Sequence, residues 1–507
     1  MLRNLSFPRR RESFLKTYEL TGDSRESGND KGVKRLCVFV FLCFIFFTSC
    51  GSSENPDENG NADVTVYVTT NNRSHDFVKR TLSFGDKVTG NVFILQSADR
   101  FQTMDGFGAA VTGSSAYNLL QMSKENRTKF LKETFSPAEG MGYSYIRVAI
   151  GCSDFSLSEY TCWDDPAGSF GLTDEETQYV IPVLKEILQI NPDVKILGSP
   201  WTCPIWMKNT DNDGNPWNGG HLKREFYDEY AAYFVDWIKA FESAGIKIYS
   251  ITPQNEPLND GNSASLHMDW NEERDFVNQY LAPAMKAAGL KQKIYIWDHN
   301  YENPYPLEIY KAGLTDNEMV AGAAYHDYAG NINSLTDIHN QYPNKELIFT
   351  ETSIGTWNDG RNLAARLLAD MEYVALGTVN RWCKAVIVWN LMLDSDMGPN
   401  RQGGCQTCYG AVDISKTNWT SIRKNSHYYI IGHLSSVVKP GAVRIGVTTD
   451  SALGGFTCSA FENTDGTYAF VLVNNSADNR AITVQAGSNG FSYNMPAYSV
   501  ASFSWKK

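Results

Sequence analysis

The 507-residue sequence has no stretch in which lysine and arginine cluster among aromatic residues, and its formal net charge is −12. Such a chain would repel a phosphate backbone, which excludes nucleic acid as an expected partner. It also has no HExxH motif and no second CxxC beside Cys405 and Cys408, so we predict no metal site and no cofactor. The segment GFGAA at 106–110 is not followed by a nucleotide-binding fingerprint.

The cysteines also cannot form a fully paired disulfide framework. Seven cysteines follow Cys50, and an odd number cannot all be paired within one chain. Cys405 and Cys408 are separated by two residues, and we interpret them as a local disulfide that braces a loop rather than as half of a zinc site.

The N-terminal region carries a targeting signal. A basic flank from Lys31 precedes an apolar run at 36–47 that is too short to span a membrane comfortably, and the ending FTSC resembles a bacterial lipobox. We therefore predict that residues 1–50 are a signal and lipoprotein leader, that Cys50 is lipidated, and that residues 51–62 are a flexible tether. The mature protein is then expected to be exported, anchored to the outer-membrane surface and monomeric.

From residue 101, short β-rich apolar runs alternate with segments of helical period, the pattern of repeated βα units. Eight alternations predict an α/β fold, a closed (β/α)8 TIM barrel over residues 101–432, because an open doubly wound sheet would usually end at five or six strands. Residues 433–507 are rich in strands and turn residues, which predicts a small all-β sandwich completed by N-terminal strands in 63–100. The predicted barrel strands are 101–110, 143–151, 194–202, 247–257, 293–300, 320–328, 346–353 and 385–393.

Polar and aromatic residues stand at the ends of most predicted barrel strands, and the C-terminal strand ends form the active-site face of this fold. Glu256 closes the fourth strand in TPQNEP, and Glu351 closes the seventh in FTETS. Two carboxyl groups on one rim are the equipment of glycoside hydrolysis, which needs a proton donor and a carboxylate at the reacting carbon. The other residues assigned to this rim are Asp105, Arg147, Asp154, Trp201, Asn255, Asp298, His299, His326, Trp389 and Asn390.

The motifs resemble those of glycoside hydrolase family 30, the group that contains glucosylceramidases and β-1,6-glucanases. The similarity runs from about residue 101 to the C-terminus through MDGFGAA, RVAIGCSDFS, LGSPWTCPIWMK, TPQNEP, AYHDY, FTETS and VWN. The resemblance implies a retaining β-glycosidase with Glu256 as acid/base and Glu351 as nucleophile. It further implies a minus-one sugar subsite and two residues that flank the nucleophile; the subsite residues are Asp154, Trp201, Asn255, Trp389 and Asn400, and the flanking pair is His326 and Tyr328.

The expected substrate is a β-glucan or glucoside. In the glucosylceramidase pattern a tryptophan follows the histidine of the sixth strand, whereas this sequence has Asp327, and the loop DSDMGPNRQGGCQTCYGAVDI is more similar to the β-1,6-glucanase branch. We therefore expect endo-acting cleavage of β-1,6-glucan, with glucosylceramide as the close alternative. A non-catalytic surface glycan-binding protein is the alternative of another class, and the presence of both glutamates argues against it.

Overall fold

The computed structural model describes residues 62–85, 87–209, 215–302, 304–313, 316–449 and 454–507. The predicted leader, the lipidation site Cys50 and all of the tether except its final residue lie outside the described residues. Within the described residues, no helix combines the length and the apolar character needed to cross a membrane.

Strands and helices alternate through the middle of the chain, and strands alone occupy its two flanks. Strands β1 to β12 are Val64–Thr70, Val78–Leu82, Asn91–Thr103, Gly106–Ala110, Tyr145–Ile150, Lys195–Pro200, Ser250–Ile251, Lys293–Asn300, Val320–His326, Glu346–Glu351, Ile354–Gly355 and Cys383–Val388. Strands β13 to β22 are Met392–Asp394, Cys408–Tyr409, Val412–Ile414, Ile422–Lys424, Val443–Thr449, Phe456–Glu462, Thr467–Asn474, Arg480–Ala486, Asn489–Met495 and Ser499–Lys506. Helices α1 to α11 are Gly113–Gln121, Lys124–Phe135, Ile181–Ile190, Tyr227–Ser243, Trp270–Phe276, Ala282–Ala287, Tyr305–Lys311, Ser334–Gln341, Leu363–Asp370, Leu376–Val379 and Ser426–Ser435.

Eight parallel strands close into a barrel in the order β4, β5, β6, β7, β8, β9, β10 and β12. The predicted (β/α)8 fold is thereby confirmed, although the first predicted strand, 101–110, is divided between β3 and β4. Asp105 precedes β4, so it lies at the N-terminal end of the barrel, where Lys195 Nζ is 2.7 Å from its carboxylate. The expectation that Asp105 faces the active-site rim is therefore wrong.

The barrel interior is built in layers because side chains alternate in direction along each strand. Seven buried side chains form an apolar layer: Tyr145, Leu197, Tyr295, Ala324, Ile348, Ala385 and Ile387. Two positions further along β5, β6, β9 and β10 stand Arg147, Ser199, His326 and Thr350, all fully buried. A polar layer thus lies directly on the apolar one and forms the floor of the C-terminal opening.

Nine of the remaining strands form a sheet that folds over on itself as a sandwich, whereas β11 pairs with β14, and β13, β15 and β16 form a small sheet of their own. The strand order of the sandwich sheet is β2-β1-β22-β19-β18-β17-β3-β20-β21, so the N-terminal strands β1, β2 and β3 belong to it. The Phe491 ring on β21 lies 5.3 Å from that of Phe503 and 5.1 Å from that of Trp505, both on β22. These contacts bring distant parts of the sheet face to face around one apolar core.

Helix α11 joins the barrel to the sandwich, and the predicted division between residues 432 and 433 falls inside it. On the barrel side, the Tyr143 hydroxyl donates to the carbonyl oxygen of Tyr428 at 2.8 Å. On the sandwich side, the two ring nitrogens of His433 lie 2.8 Å from Ser502 Oγ and 2.9 Å from Thr69 Oγ1. All ten residues of the helix are buried, so it packs between the two parts rather than linking them loosely.

Candidate active site

The two predicted glutamates share one site at the C-terminal end of the barrel. Glu256 follows β7 and Glu351 ends β10, and the two residues are only 5% and 6% exposed. Carboxylate oxygens of the two side chains lie within 4.8 Å of one another. A single bond placed between them could therefore contact both groups at once.

Irregular backbone at the strand ends aims these groups into the opening. The register between β9 and β10 shifts between Phe349 and Glu351, which places Glu351 opposite His326. Strand β8 shifts in the same way beside Asp298, whose φ is 52°, and Glu256 has a φ of 45°. Bulges change the direction in which side chains point. Non-glycine residues with positive φ are strained, and the surrounding structure must stabilise them. The fold therefore spends conformational energy to direct Glu256, Asp298 and Glu351 into the opening.

Arg147 is the buried cation of the site. Its NH1 donates to Glu351 Oε2 at 2.5 Å, and its NH2 donates to Asp298 Oδ2 at 2.7 Å and to Asn255 Oδ1 at 2.6 Å. Burial lowers the pKa of Arg147, but the charges of Asp298 and Glu351 outweigh burial and raise it. The guanidinium therefore stays charged and orients acceptors from three different strand ends.

Asp298 is the fully buried anion beneath this cation. Its carboxylate accepts hydrogen bonds from Ser199 and Thr252 at 2.8 Å and from Thr350 at 2.6 Å, in addition to that from Arg147. Burial raises its pKa, but Arg147 and the hydrogen bond from His326 hold it well below the usual range of an aspartate. Asp298 is therefore ionised and holds both of its cationic neighbours in place.

His326 lies between the carboxylates of Glu256 and Asp298. Its Nδ1 is 3.0 Å from Glu256 Oε1, and its Nε2 is 3.1 Å from Asp298 Oδ1. Burial lowers the pKa of His326, but Glu351, Asp298 and Glu256 together raise it to about 10. An imidazole that donates from both nitrogens is cationic, so His326 brings a proton to within one hydrogen bond of Glu256.

Glu256 and His326 consequently share one proton. Burial raises the pKa of Glu256, but the hydrogen bond from His326 and the nearby His299 lower it to about 2 while the proton is on the imidazole. Burial raises the pKa of Glu351, and the negative charge of Glu256 raises it further, against His326 and Arg147. Moving the proton from His326 to Glu256 makes Glu256 an acid, and it removes the negative charge of Glu256 and the positive charge of His326 beside Glu351 together.

Glu256, His326 and Glu351 bring three potential ligand atoms within 4.8 Å of one another, as metal sites do. A metal-bound histidine must offer a free ring lone pair. Both nitrogens of His326 are instead hydrogen-bonded to carboxylates, and its raised pKa keeps both protonated. The cluster is suited to proton transfer rather than to metal ligation.

Two indole rings line the opening beside the glutamates. The Trp201 and Trp389 rings stack with centroids 5.1 Å apart, and the Arg147 guanidinium lies 4.8 Å and 5.5 Å from their centroids. Both rings are almost fully buried, so they pack against neighbouring side chains and also line the opening. That the two rings hold a sugar stays a prediction.

Asp154 lies next to the tryptophans, since the ring of the following residue, Phe155, is 6.2 Å from that of Trp389. Burial, followed by the charge of Glu351, raises the pKa of Asp154 to about 7. The backbone of Cys405 donates to this carboxyl group, and a side chain at Gly404 would collide with Asp154. Cys405 and Cys408 are joined, which confirms the predicted local disulfide and braces the loop against Asp154.

The other predicted sugar-binding residues differ in how directly they reach the glutamates. Tyr328 donates from its hydroxyl to Glu351 Oε1 at 2.9 Å. Asn255 uses its carbonyl oxygen to accept from Arg147. The amide of Asn400 donates to Met397 O at 2.8 Å and lines a separate cavity of about 570 Å³ with Trp419.

Comparison with known proteins places this geometry in a family. The model of the glycosyl hydrolase family 30 TIM-barrel domain matches residues 104–438, and that of the family's β-sandwich domain matches residues 441–503. The chain belongs to glycoside hydrolase family 30. This family 30 enzyme is a hydrolase of glycosidic bonds.

Relatives of the enzyme fall into two named groups. It is 33% identical to the endo-1,6-β-D-glucanase BGN16.3 of Trichoderma harzianum, over 79% of this chain and 84% of that protein. It is 26% identical to the mouse lysosomal acid glucosylceramidase, over 83% of this chain and 84% of that protein. Among solved structures, the endo-β1,6-glucanase BT3312 matches with a TM-score of 0.84 and 56% identity, covering 88% of this chain and 99% of that chain.

Several residues of the site escape prediction from sequence. Asn259 donates to Glu256 Oε2 at 2.6 Å, Ser353 accepts from Tyr328 at 3.1 Å, and Thr252 supports Asp298. Asn and Ser close to each glutamate in the sequence are a possible signal, but such residues are common in loops. Thr252 lies two positions after Ser250 of β7. The only sequence signal for it is the two-residue alternation of a strand, which directs both side chains to the barrel interior.

The shared proton gives a prediction for pH dependence. In the family 30 enzyme, His326 has a pKa of about 10 and helps the pair to keep its proton at high pH. In His326→Gln, Glu256 must hold this proton alone. We expect the alkaline limb of kcat/KM for an aryl β-glucoside to move to lower pH by more than about one unit. His221→Gln, at a histidine paired with Glu272, is the control and should keep the wild-type profile. An alkaline limb at the wild-type pH in a folded His326→Gln protein would contradict proton sharing.

Proposed function

We propose that the protein is a retaining β-glycosidase that cleaves β-1,6-glucan, with Glu351 as nucleophile and Glu256 as acid/base. The observation that carries the mechanism is the approach of the two carboxylates to within 4.8 Å. Retaining glycosidases hold their carboxyl groups about 5–5.5 Å apart, whereas inverting enzymes leave about 6.5–9.5 Å for a water molecule. The shorter separation supports direct attack by one of the two carboxylates.

The surroundings of each carboxylate support the assignment of roles. Arg147 and Tyr328 donate to Glu351, and both hydrogen bonds favour its ionised, attacking form. Glu256 is instead hydrogen-bonded to His326, which can hand it a proton through Nδ1. The two groups thus differ in proton supply, as a nucleophile and an acid must.

The first step forms a bond and breaks a bond at the anomeric carbon. A Glu351 carboxylate oxygen attacks this carbon as the glycosidic C–O bond breaks, and Glu256 gives its proton to the departing oxygen. Asn255 stands beside Glu256, where its amide can donate to the sugar 2-hydroxyl, a contact that strengthens in the transition state. Trp201 and Trp389 form the wall against which the sugar lies.

The second step returns the enzyme to its starting state. Glu256, now a carboxylate, takes a proton from water as the water oxygen attacks the anomeric carbon and the ester bond to Glu351 breaks. Two inversions give net retention of the β configuration. His326, held by Asp298, keeps the Glu256 carboxylate in place through both steps.

Substitution of the two glutamates tests the roles. Glu351→Gln should lower kcat on aryl β-glucosides by more than about 10⁴-fold, because the covalent step is lost. Glu256→Ala should still react with substrates that have a good leaving group, and added azide should accelerate its turnover by attacking the intermediate without needing a base. Proton NMR of wild-type turnover should show the β-anomer first. Glycan binding without turnover by the wild type would instead favour a non-catalytic glycan-binding protein.

The preference for β-1,6-glucan is supported by the loops and by the relatives. Asp327 replaces the tryptophan of the glucosylceramidase pattern; it is hydrogen-bonded to Thr352, and burial raises its pKa to about 6. A carboxyl group here suits a hydrophilic glucan better than a ceramide chain. The relatives at 33% and 56% identity are both named as endo-1,6-glucanases, and the mouse glucosylceramidase is 26% identical.

A panel of substrates tests this preference. We expect release of oligosaccharides from a β-1,6-glucan, slower cleavage of gentiobiose, and at least about 100-fold lower kcat/KM for glucosylceramide dispersed in detergent, because an apolar ceramide chain is disfavoured beside polar loop residues. Product lengths followed by chromatography also distinguish internal from terminal cleavage. Cleavage of the lipid alone would contradict the proposed substrate while leaving the glycosidase mechanism intact.

We also propose export and lipid anchoring through Cys50, which the FTSC sequence and the apolar run before it support. Wild-type protein should fractionate with the outer membrane, and mass spectrometry should find a chain that begins at acylated Cys50. Cys50→Ser should release the protein from the membrane fraction without lowering its specific activity, since Cys50 lies outside the barrel sequence. Unmodified wild-type protein in the soluble fraction would contradict the anchor.

A further inference from the structure

Large hydrophobic side chains are exposed at a few positions of the described chain. They are Val88, Ile94, Tyr328, Trp357, Tyr373 and Tyr498. Val88, Ile94 and Tyr498 belong to the sandwich segments, and Tyr373 lies in a helical turn before α10. Among these six, Tyr328 and Trp357 alone follow the C-terminal ends of barrel strands, β9 and β10, where the glutamates lie.

Trp357 is held close to the reaction centre. It is 52% exposed and lies in the short turn Thr356–Asn358, just after β11. Two carbons of its six-membered ring lie 2.0 Å and 2.4 Å from the place that a Cβ on Gly355 would occupy, so the indole rests directly on glycine backbone. Gly355 is four residues after Glu351, which limits their Cα separation to about 14 Å.

The turn that carries Trp357 is fixed by its own hydrogen bonds and by the disulfide loop. The amide of Gly355 donates to Asn358 Oδ1 at 2.9 Å, and that of Thr356 donates to Thr407 O at 3.0 Å. Thr407 lies inside the loop that the Cys405–Cys408 disulfide closes. The ring is therefore presented to solvent by a rigid support, and a ligand that stacks on it has little ordering cost to overcome.

A second exposed aromatic residue, Tyr328, contacts the nucleophile directly. The Tyr328 hydroxyl donates to both Glu351 Oε1 and Ser353 Oγ, and 40% of Tyr328 is exposed. Ser353 is followed directly by β11, which leads to Trp357. Two exposed aromatic side chains thus follow the ends of β9 and β10, one in contact with Glu351 and one six residues after it along the chain.

We propose that Trp357 is a stacking platform for a glucosyl unit of the β-1,6-glucan chain that lies beyond the sugars at the cleaved bond. The inference rests on the proposed function. A glucan chain is uncharged, and its sugar rings offer C–H faces to an aromatic ring, so an exposed indole matches it better than a charged side chain does. On this proposal a short aryl glucoside does not use the platform, whereas a polymer continues past the cleaved bond onto it.

Trp357→Ala tests the platform, with Trp357→Phe and Tyr373→Ala as companions. We expect the ratio of kcat/KM for long β-1,6-glucan to that for an aryl β-glucoside to fall about tenfold in Trp357→Ala. Trp357→Phe, which keeps an aromatic face, should recover most of this ratio. Tyr373→Ala removes an aromatic ring of similar exposure from a barrel helix and should keep the wild-type ratio.

Binding measured without turnover separates this proposal from the proposed function. In the Glu351→Gln background, calorimetric affinity for the same glucan should fall about tenfold when Trp357 is also replaced by Ala. Equal affinity of the two proteins, or no binding by either, overturns the platform even where the wild type cleaves the glucan. A parallel loss on both substrates also overturns it, because that result shows a structural role for the ring. A wild type that binds the glucan through Trp357 without cutting it would contradict the proposed function alone.

Discussion

The site depends on one buried cation. Arg147 has no access to solvent, and it is tolerated there because Glu351 and Asp298 supply the opposite charge at hydrogen-bond distance. Removing one partner of such a buried pair costs roughly 3–5 kcal/mol, since it leaves an uncompensated charge. The polar floor, the two tryptophans over the guanidinium and the direction of Glu351 all follow from keeping this charge neutralised.

The neighbouring carboxylates form an electrostatic system rather than a set of independent groups. Asp298 is held ionised, His326 is held cationic, and Glu256 is hydrogen-bonded to the imidazole. A neutral substitution at Asp298 would therefore disturb Arg147 and His326 together, although Asp298 reaches neither the sugar nor the solvent. Support of this kind is what keeps two glutamates with opposite tasks within 4.8 Å of each other.

The sequence was sufficient to predict the barrel, because each strand and helix carries its own hydrophobic period. It was also sufficient to predict that Glu256 and Glu351 lie on one rim, since the C-terminal ends of parallel strands lie at the same edge. Period alone could not locate Asp105, because the predicted strand begins at residue 101, five residues before β4, and Asp105 therefore lies before the barrel strand rather than at its C-terminal end. Nor could it show Asp298 beneath Arg147, since bulges in β8 and β10 break the alternation on which such predictions depend.

The sandwich has a consequence for how the chain folds. Strand β1 pairs with β22, and β3, which runs straight into the first barrel strand, pairs with β17 and β20. These partners come from opposite ends of the described sequence, so their pairing must await synthesis of the final strands and closes slowly. For the export proposed above, this delay would leave the sandwich unformed until the last segment of the chain has crossed the membrane.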